Sequence, residues 1–266
     1  MEPLSTLDAG FFFVEHENVP MHIGSLAVFE GPAPAYQDLV GLFASKVPHV
    51  ARYRQVVRTT PLQVFRPVWA DDEHFEVSYH VRHAAVPAPG GAEQLRNLAA
   101  RIFAQRLGRA RPLWEECLLE GLEGGRWALN SKVHHCMVDG VGGTDLMTLV
   151  FDTDPDAERA EPVIWEPEPR PSVATMVADG VRDAVTWPVR QLAASPDALH
   201  WLRTPSELLG FGRGLAGSAR RLTAPSAGFL NGPIGPHRRW VWTAISLGNV
   251  KRPGRHCQRR AAHRDH

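Results

Sequence analysis

The feature that most constrains the fold of this chain is a strand-like stretch that ends in two adjacent histidines. Residues 126–135 alternate between two faces, as a β-strand requires. One face carries Trp127, Leu129, Ser131, Val133 and His135, and the other carries Ala128, Asn130, Lys132 and His134. The chain continues to Asp139 and Gly140, so the motif reads His-His-x-x-x-Asp-Gly. The pattern predicts an extended segment with a histidine pair at its end.

The rest of the sequence predicts strands interleaved with helices. Apolar residues recur at helical spacing near 35–47 and 92–107, and short apolar or alternating runs predict strands at 24–30 and 75–82. Thr144 fits the N-cap of a helix through Phe151. Further predictions are a helix from Val173 to Val185 ended by Trp187-Pro188, helical structure at 205–222 and a strand at 239–247. This alternation predicts an α/β (α+β) architecture.

Composition shifts divide the chain into four parts. Residues 1–154 form the predicted domain that carries the histidine motif. Residues 155–171 hold five prolines among acidic residues, which is typical of a stiff, exposed linker. A helical segment and a final strand follow over 172–250. Residues 251–266 contain no Val, Ile, Leu, Met, Phe, Tyr or Trp, so this basic tail is expected to be unstructured.

Charge and cysteine usage narrow the class of protein. The tail holds six Lys/Arg and one Asp, which leaves 23 basic and 28 acidic residues in 1–250, a net charge of −5. An acidic body gives no electrostatic support to a nucleic-acid partner. Three scattered cysteines fit a reducing compartment, and no apolar run is long enough to span a bilayer. We therefore expect a cytoplasmic protein, with a peripheral role at a membrane surface left open.

The motif can be interpreted as acid–base chemistry, as structure or as a metal site. A neutral imidazole suits a base near pH 7, and His135 falls on the apolar face, where burial would keep it neutral. Asp139 could orient His135 or hold the loop to an arginine, and Gly140 permits a close approach to the backbone. Two histidines that only cap a strand are the structural alternative. His134, His135 and Asp139 are acceptable metal ligands, but adjacent strand residues face opposite sides, so we expect no metal.

Two other segments give weaker evidence about function. Residues 212–217 match the Gly-x-Gly-x-x-Gly pattern of dinucleotide sites, but no strand precedes them, so they are interpreted as a small-residue patch in a helical region. The Arg111–Glu115 segment is interpreted as a turn into packed structure.

Taken together, these segments resemble a family. The chain is similar to the bacterial wax ester synthase/acyl-CoA:diacylglycerol acyltransferases through most of residues 3–250. The resemblance rests on an ordered set of segments: Pro3–Ala9, Pro20–Gly24, Tyr79–His83, Pro112–Glu115, His134–Gly140 and Leu230–Gly235 with Arg238-Arg239. The His-His motif alone is shared by several acyltransferase classes, whereas the ordered set is specific.

The resemblance implies a fold and an activity. It implies a chloramphenicol-acetyltransferase-like N-terminal domain of a two-domain enzyme, with the site between the domains. His135 would be the general base that deprotonates a diacylglycerol or a long-chain alcohol, which then attacks the thioester of acyl-CoA. His134 would be supporting, Asp139 would maintain the geometry, and Gly140 would be the motif's glycine. Acyl-CoA would be a co-substrate with no bound cofactor, and the enzyme would contact a membrane or lipid droplet without spanning it.

The end of the chain departs from the family pattern, which continues into a second domain with an early Asn-Asp-Val motif. One codon choice for Pro253–Asp265, shifted by one base, encodes such a motif. We therefore predict a frameshift near codons 251–253 and a missing C-terminal domain. A site between domains needs both walls, so the sequence predicts low turnover for this chain. The alternative is an inactive N-terminal fragment that at most binds lipid or a partner.

Overall fold

The computed structural model describes residues 2–138, 165–194 (side chains to 186), 235 and 237–243 of the 266-residue chain. Its helices and strands are, in order, β1 (Glu2–Pro3), α1 (Thr6–Val14), β2 (His22–Phe29), α2 (Tyr36–Lys46), β3 (Gln55–Arg58), β4 (Val68–Asp71), α3 (Val77–His80), β5 (Val81–Ala85), α4 (Ala92–Ala104), β6 (Trp114–Leu122), β7 (Arg126–His134) and α5 (Val173–Ala194). The mixed helix and sheet content confirms the predicted α/β (α+β) class.

A four-stranded sheet positions the histidine motif. Its strand order is β2-β7-β6-β5, with β5 and β6 parallel and the other neighbours antiparallel. β7 is therefore an inner strand, paired along its whole length with β2 on one side and with β6 on the other. Both faces of β7 are buried from Ala128 to Lys132, because helices cover the sheet on both sides. A second, three-stranded sheet has the order β1-β4-β3.

Two apolar clusters lie on the two faces of this sheet. The larger one includes Leu118, Leu129 and Trp114 with residues of α1 and α2 such as Phe12 and Phe43. The smaller one packs α4 against Leu119 and Ala128. A fully buried leucine or phenylalanine side chain contributes about 1.5–3 kcal/mol to folding. These clusters therefore fix the sheet as a rigid support for the motif.

Two helices have ends that their sequences explain. α1 begins after Ser5, whose Oγ accepts the Asp8 backbone N–H at 3.1 Å, so the side chain satisfies a helix-end donor. The C-terminal end of α4 is held by Lys132 on β7. The Lys132 ammonium is fully buried and donates to the carbonyls of Ile102 and Gln105, both at 3.1 Å. A cation at a helix C-terminus is the favourable arrangement for the helix dipole.

The structure corrects three predicted elements. The predicted strand 75–82 is instead the short helix α3, and the strand β5 begins only at Val81. The predicted end at Trp187-Pro188 is wrong, because α5 continues to Ala194. The predicted strand 239–247 is irregular over Arg239–Thr243, and its remainder lies outside the described residues. Five other predicted elements are confirmed, with bounds that differ by a few residues apart from the end of α5. They are the strands near 24–30 and 126–135 and the helices near 35–47, 92–107 and 173–185.

Other predictions fall on residues that the structure does not describe. They are the Thr144-capped helix, most of the 155–171 linker, the 205–222 segment with its Gly-x-Gly-x-x-Gly pattern, and the 251–266 tail.

Candidate active site

Both histidines of the motif stand where β7 ends. His134 is the last residue of the strand, and His135 opens a 3-10 turn that runs to Met137. The His134 N–H donates to the Leu113 carbonyl at 2.9 Å, and the His135 N–H donates to the Met21 carbonyl at 2.7 Å. The backbone of the pair is therefore held between the residue that precedes β6 and the segment that precedes β2.

His134 is the buried member of the pair. It is fully inaccessible to solvent, and its Nδ1 accepts the backbone N–H of Cys136 at 3.1 Å. That bond leaves the proton of the neutral ring on Nε2. Burial lowers the pKa of His134 to about 4, although the Glu15 carboxylate acts in the opposite direction. His134 is therefore neutral near pH 7, and its ring closes the turn that presents His135.

Behind His134 lies an ion pair that sequence reasoning missed. The Glu15 side chain is 1% exposed and accepts a hydrogen bond from Arg109 Nε at 3.1 Å. A terminal nitrogen of Arg109 lies 3.0 Å from the same carboxylate oxygen as an ion pair. Arg109 also donates to the Phe12 carbonyl at 2.6 Å, which ties the end of α1 to the loop before β6. One Glu15 oxygen lies 3.8 Å from Nε2 of His134. The only sequence signal for Glu15 was an acid placed directly after an apolar run.

His135 has a different environment from the one predicted. It is half-buried, and its ring stacks on Phe11 of α1 with centroids 4.0 Å apart and planes at 24°. Its Nδ1 is buried and has no hydrogen-bond partner among the described residues. The prediction that His135 lies on the buried face of the strand was wrong. β7 ends one residue earlier, so His135 belongs to the turn and the full burial falls on His134.

Cys136, which follows the histidine pair, is not equipped as a nucleophile. Burial raises the pKa of its thiol to about 12, so the thiol stays protonated near pH 7. Within the part of the chain that the structure describes, no three His, Cys, Asp or Glu side chains come together as a metal site. An imidazole beside a thiol that stays protonated is suited to proton transfer.

The remaining predicted site residues are Asp139 and Gly140, and both lie outside the described residues. Their roles stay predictions. The Pro112–Glu115 segment, by contrast, packs as expected. Trp114 is 1% exposed, stacks on His80 with centroids 4.5 Å apart and donates from Nε1 to the Tyr53 carbonyl at 2.7 Å.

Comparison with known proteins identifies the family. The chain matches the wax ester synthase/diacylglycerol acyltransferase catalytic domain over residues 4–257, and it belongs to that family of acyltransferases. A probable diacylglycerol O-acyltransferase of Mycobacterium tuberculosis, tgs3, is 36% identical over 254 residues, which are 93% of each chain. Another from the same organism, tgs1, is 34% identical over 94% of this chain but only 52% of its own length. The chain thus spans about half of tgs1 and nearly all of tgs3.

Solved structures give a weaker likeness. A wax ester synthase/diacylglycerol acyltransferase from Marinobacter aquaeolei is 36% identical over 52% of this chain and 35% of its own, with a TM-score of 0.46. The first condensation domain of the calcium-dependent antibiotic synthetase is 16% identical, with a TM-score of 0.43. Because neither TM-score establishes a shared fold, the family assignment rests on the sequence matches.

Proposed function

We propose that the protein transfers a fatty acyl group from acyl-CoA to the hydroxyl of a diacylglycerol or a long-chain alcohol. The observation that carries this proposal is the half-buried His135, held on Phe11 at the end of an inner strand in a chain of this acyltransferase family. Two relatives named as probable diacylglycerol O-acyltransferases support the same reaction.

The proposed steps follow from the position of the imidazole. The acceptor hydroxyl gives its proton to His135 while its oxygen attacks the carbonyl carbon of the thioester. The tetrahedral intermediate collapses, the carbon–sulfur bond breaks and the CoA thiolate takes the proton from the imidazolium. The products are an ester and free CoA, and His135 returns to its neutral state. No bound cofactor or metal takes part in these steps.

The supporting groups have separate tasks in this proposal. His134 and the Glu15–Arg109 pair would position the turn that carries His135. Asp139 would maintain the geometry of the loop, and Gly140 would permit the turn. The domain of residues 1–154 would form one side of the site between the two domains.

We also propose that the protein works in the cytoplasm, at the surface of a membrane or lipid droplet, because a diacylglycerol resides in lipid. Among the described helices, none is long and apolar enough to cross a membrane. In this proposal the described helices would contact lipid only at its surface.

The direct test of the reaction is product formation. Purified protein is incubated with radiolabelled hexadecanoyl-CoA and either a dispersed diacylglycerol or hexadecanol. The expected result is labelled triacylglycerol, labelled wax ester or both, formed slowly and with release of free CoA. If the label stays in hexadecanoyl-CoA and free fatty acid with every acceptor, the proposal is wrong and the non-enzymatic alternative stands.

A further inference from the structure

A small pocket lies where β5 and β6 begin, one strand away from the histidine motif. Its volume is about 70 Å³, and the loop between α4 and β6 forms part of its wall. Trp114, the first residue of β6, lines the pocket and pairs with Val133 of β7. The residue before it, Leu113, accepts the His134 N–H at 2.9 Å. The pocket and the histidine pair therefore lie at the same edge of the sheet.

The charge around this pocket, hereafter the arginine pocket, is predominantly positive. Its charged lining residues are Arg82, Arg106, Arg111 and Glu115. Three cations against one carboxylate leave an excess of two positive charges, although the chain without its tail has a net charge of −5. One Glu115 oxygen lies 3.4 Å from Arg82 Nε, and the other lies 3.7 Å from Lys132 Nζ. The carboxylate is therefore already shared by two cations and does not neutralise the other two arginines.

Arg106 and Arg111 are the arginines that keep their charge free. Among the described residues neither forms an ion pair or a side-chain hydrogen bond. The Arg111 guanidinium lies over the Tyr79 ring, with Cζ 3.4 Å from the ring centroid. The ring occupies one face of the guanidinium, so the N–H groups at its edge stay available to an acceptor. Arg106 is exposed on the loop. Both side chains can therefore donate to an anion in the pocket.

His80 adds no charge of its own to the arginine pocket. It is 3% exposed and lines the inner wall. Burial lowers its pKa to about 4, and the charges of Arg111 and Arg82 act in the same direction. Its Nδ1 donates to the Trp114 carbonyl at 2.9 Å, which fixes the neutral ring. The positive charge of the pocket near pH 7 therefore comes from guanidinium groups, which do not lose their protons there.

We propose that the arginine pocket binds a phosphate group. The fork of guanidinium N–H groups matches two oxygens of a phosphate, and such charge-assisted hydrogen bonds are among the stronger ones in proteins. The volume of about 70 Å³ is about twice that of a water molecule in the liquid, which suits one tetrahedral phosphate and not a whole nucleotide. An anion of this kind also offsets the unpaired cations of Arg106 and Arg111.

The phosphate can come from the nucleotide end of acyl-CoA or from the headgroup of an anionic phospholipid. The first source rests on the proposed function, because acyl-CoA would react at the motif on the same edge of the sheet. The second source would hold the protein on a lipid surface. Both sources present the same phosphate chemistry to the two arginines, so the experiment has to separate them.

The test measures binding of the whole chain at low ionic strength, without turnover. Calorimetric titration compares free CoA with pantetheine, which is the same molecule without its nucleotide and phosphates. Sedimentation compares phosphatidylcholine vesicles with and without phosphatidate. In the wild-type protein we expect CoA to bind more tightly than pantetheine, or the phosphatidate vesicles to bind more tightly than the plain ones. Added salt should weaken the preferred interaction, since it screens exposed charges.

Three matched variants locate the phosphate. Arg106→Gln and Arg111→Gln each remove one unpaired cation of the arginine pocket. Arg101→Gln removes an exposed cation of α4 that does not line the pocket, so it is the control for net charge. Each pocket variant should weaken binding of the phosphate ligand about tenfold and leave pantetheine or plain vesicles unaffected. Because Arg106 is exposed, its replacement tests the pocket without disturbing the stack of Arg111 on Tyr79.

The outcomes are distinct. A loss of affinity for CoA assigns the pocket to the nucleotide end of the substrate, and a loss confined to phosphatidate vesicles assigns it to a lipid headgroup. The proposal is overturned if the wild type prefers neither phosphate ligand, if both pocket variants bind as the wild type does, or if Arg101→Gln loses as much affinity. A protein that forms no ester but shows the expected losses contradicts only the proposed reaction. Ester formation with unaltered binding in the pocket variants contradicts only this inference.

Discussion

Neighbouring histidines at the end of β7 have opposite surroundings, and this difference suggests different tasks. His134 is enclosed, neutral and bonded to the turn, whereas His135 is half-open and stacks on Phe11. The Phe11 ring, with its centroid 4.0 Å from that of the imidazole, holds the His135 side chain in place. We therefore expect the enclosed ring to support the geometry and the open ring to meet the substrate.

The Glu15–Arg109 pair gives a prediction at the residue scale. Arg109→Met leaves the Glu15 carboxylate buried without its cation, so the free energy of unfolding should fall by about 1–3 kcal/mol. Urea unfolding at pH 7.5 measures the change. Combining Glu15→Gln with Arg109→Met removes the stranded charge and should restore part of the loss.

Arg101→Met is the control for this experiment. Arg101 is exposed on α4, and its replacement should change stability by less than about 0.5 kcal/mol. An Arg109→Met protein as stable as the control would mean that the pair does not hold the end of α1.

At the level of elements, hydrophobic periodicity predicted the helices and strands that pack in the apolar clusters. α2, α4 and β7 bury one or both faces in the apolar clusters, so their apolar residues recur at the helix or strand period. The predicted strand 75–82 failed because the alternation was short. Val77 and Tyr79 instead lie in one turn of helix, capped by the Glu76 carboxylate on the Ser78 N–H.

Tertiary contacts explain what the sequence pattern could not reveal. Glu15 and Arg109 are 94 positions apart, and no local pattern pairs them. The end of β7 was misplaced by one residue, so His135 lies in the turn and not on the apolar face of the strand. The edge-to-face contact of Trp240 with Phe103, at 4.5 Å between centroids, likewise joins residues that are remote in sequence. Periodicity therefore located the elements and the histidine motif, but not the groups that support them.

Buried histidines contribute to the pH dependence of the stability of the molecule. Burial lowers the pKa of both His80 and His134 to about 4, against 6.5 for the exposed group. Between these pH values the unfolded chain binds protons that the folded protein excludes. The free energy of unfolding should therefore fall as the pH drops through this window, by about 2 kcal/mol per histidine at pH 5, and be unaffected by these groups above pH 7.

Denaturant unfolding between pH 7.5 and 5 tests this dependence. His80→Gln should remove about half of the loss attributed to these two residues. His49→Gln, at an exposed position, should leave the loss unchanged. A wild-type stability that is flat or rises on acidification would contradict the burial of neutral histidines.

The organisation of the chain beyond the described residues stays a prediction. The frameshift predicted near codons 251–253 is tested by resequencing the encoding DNA across codons 245–266, where an Asn-Asp-Val reading frame would support it. Among the relatives, the match covers 93% of the length of tgs3 but only 52% of the length of tgs1.

The central claim is that His135 is the base of an acyl transfer, and its most direct test is the rate of ester formation by His135→Ala. The assay uses hexadecanoyl-CoA with the acceptor that the wild type prefers, and His16→Ala is the control, because His16 is a nearby exposed histidine. We expect product formation to fall by about 10²–10⁴-fold in His135→Ala, with unchanged unfolding behaviour, and to persist in His16→Ala. Equal rates in His135→Ala and the wild type would contradict the account.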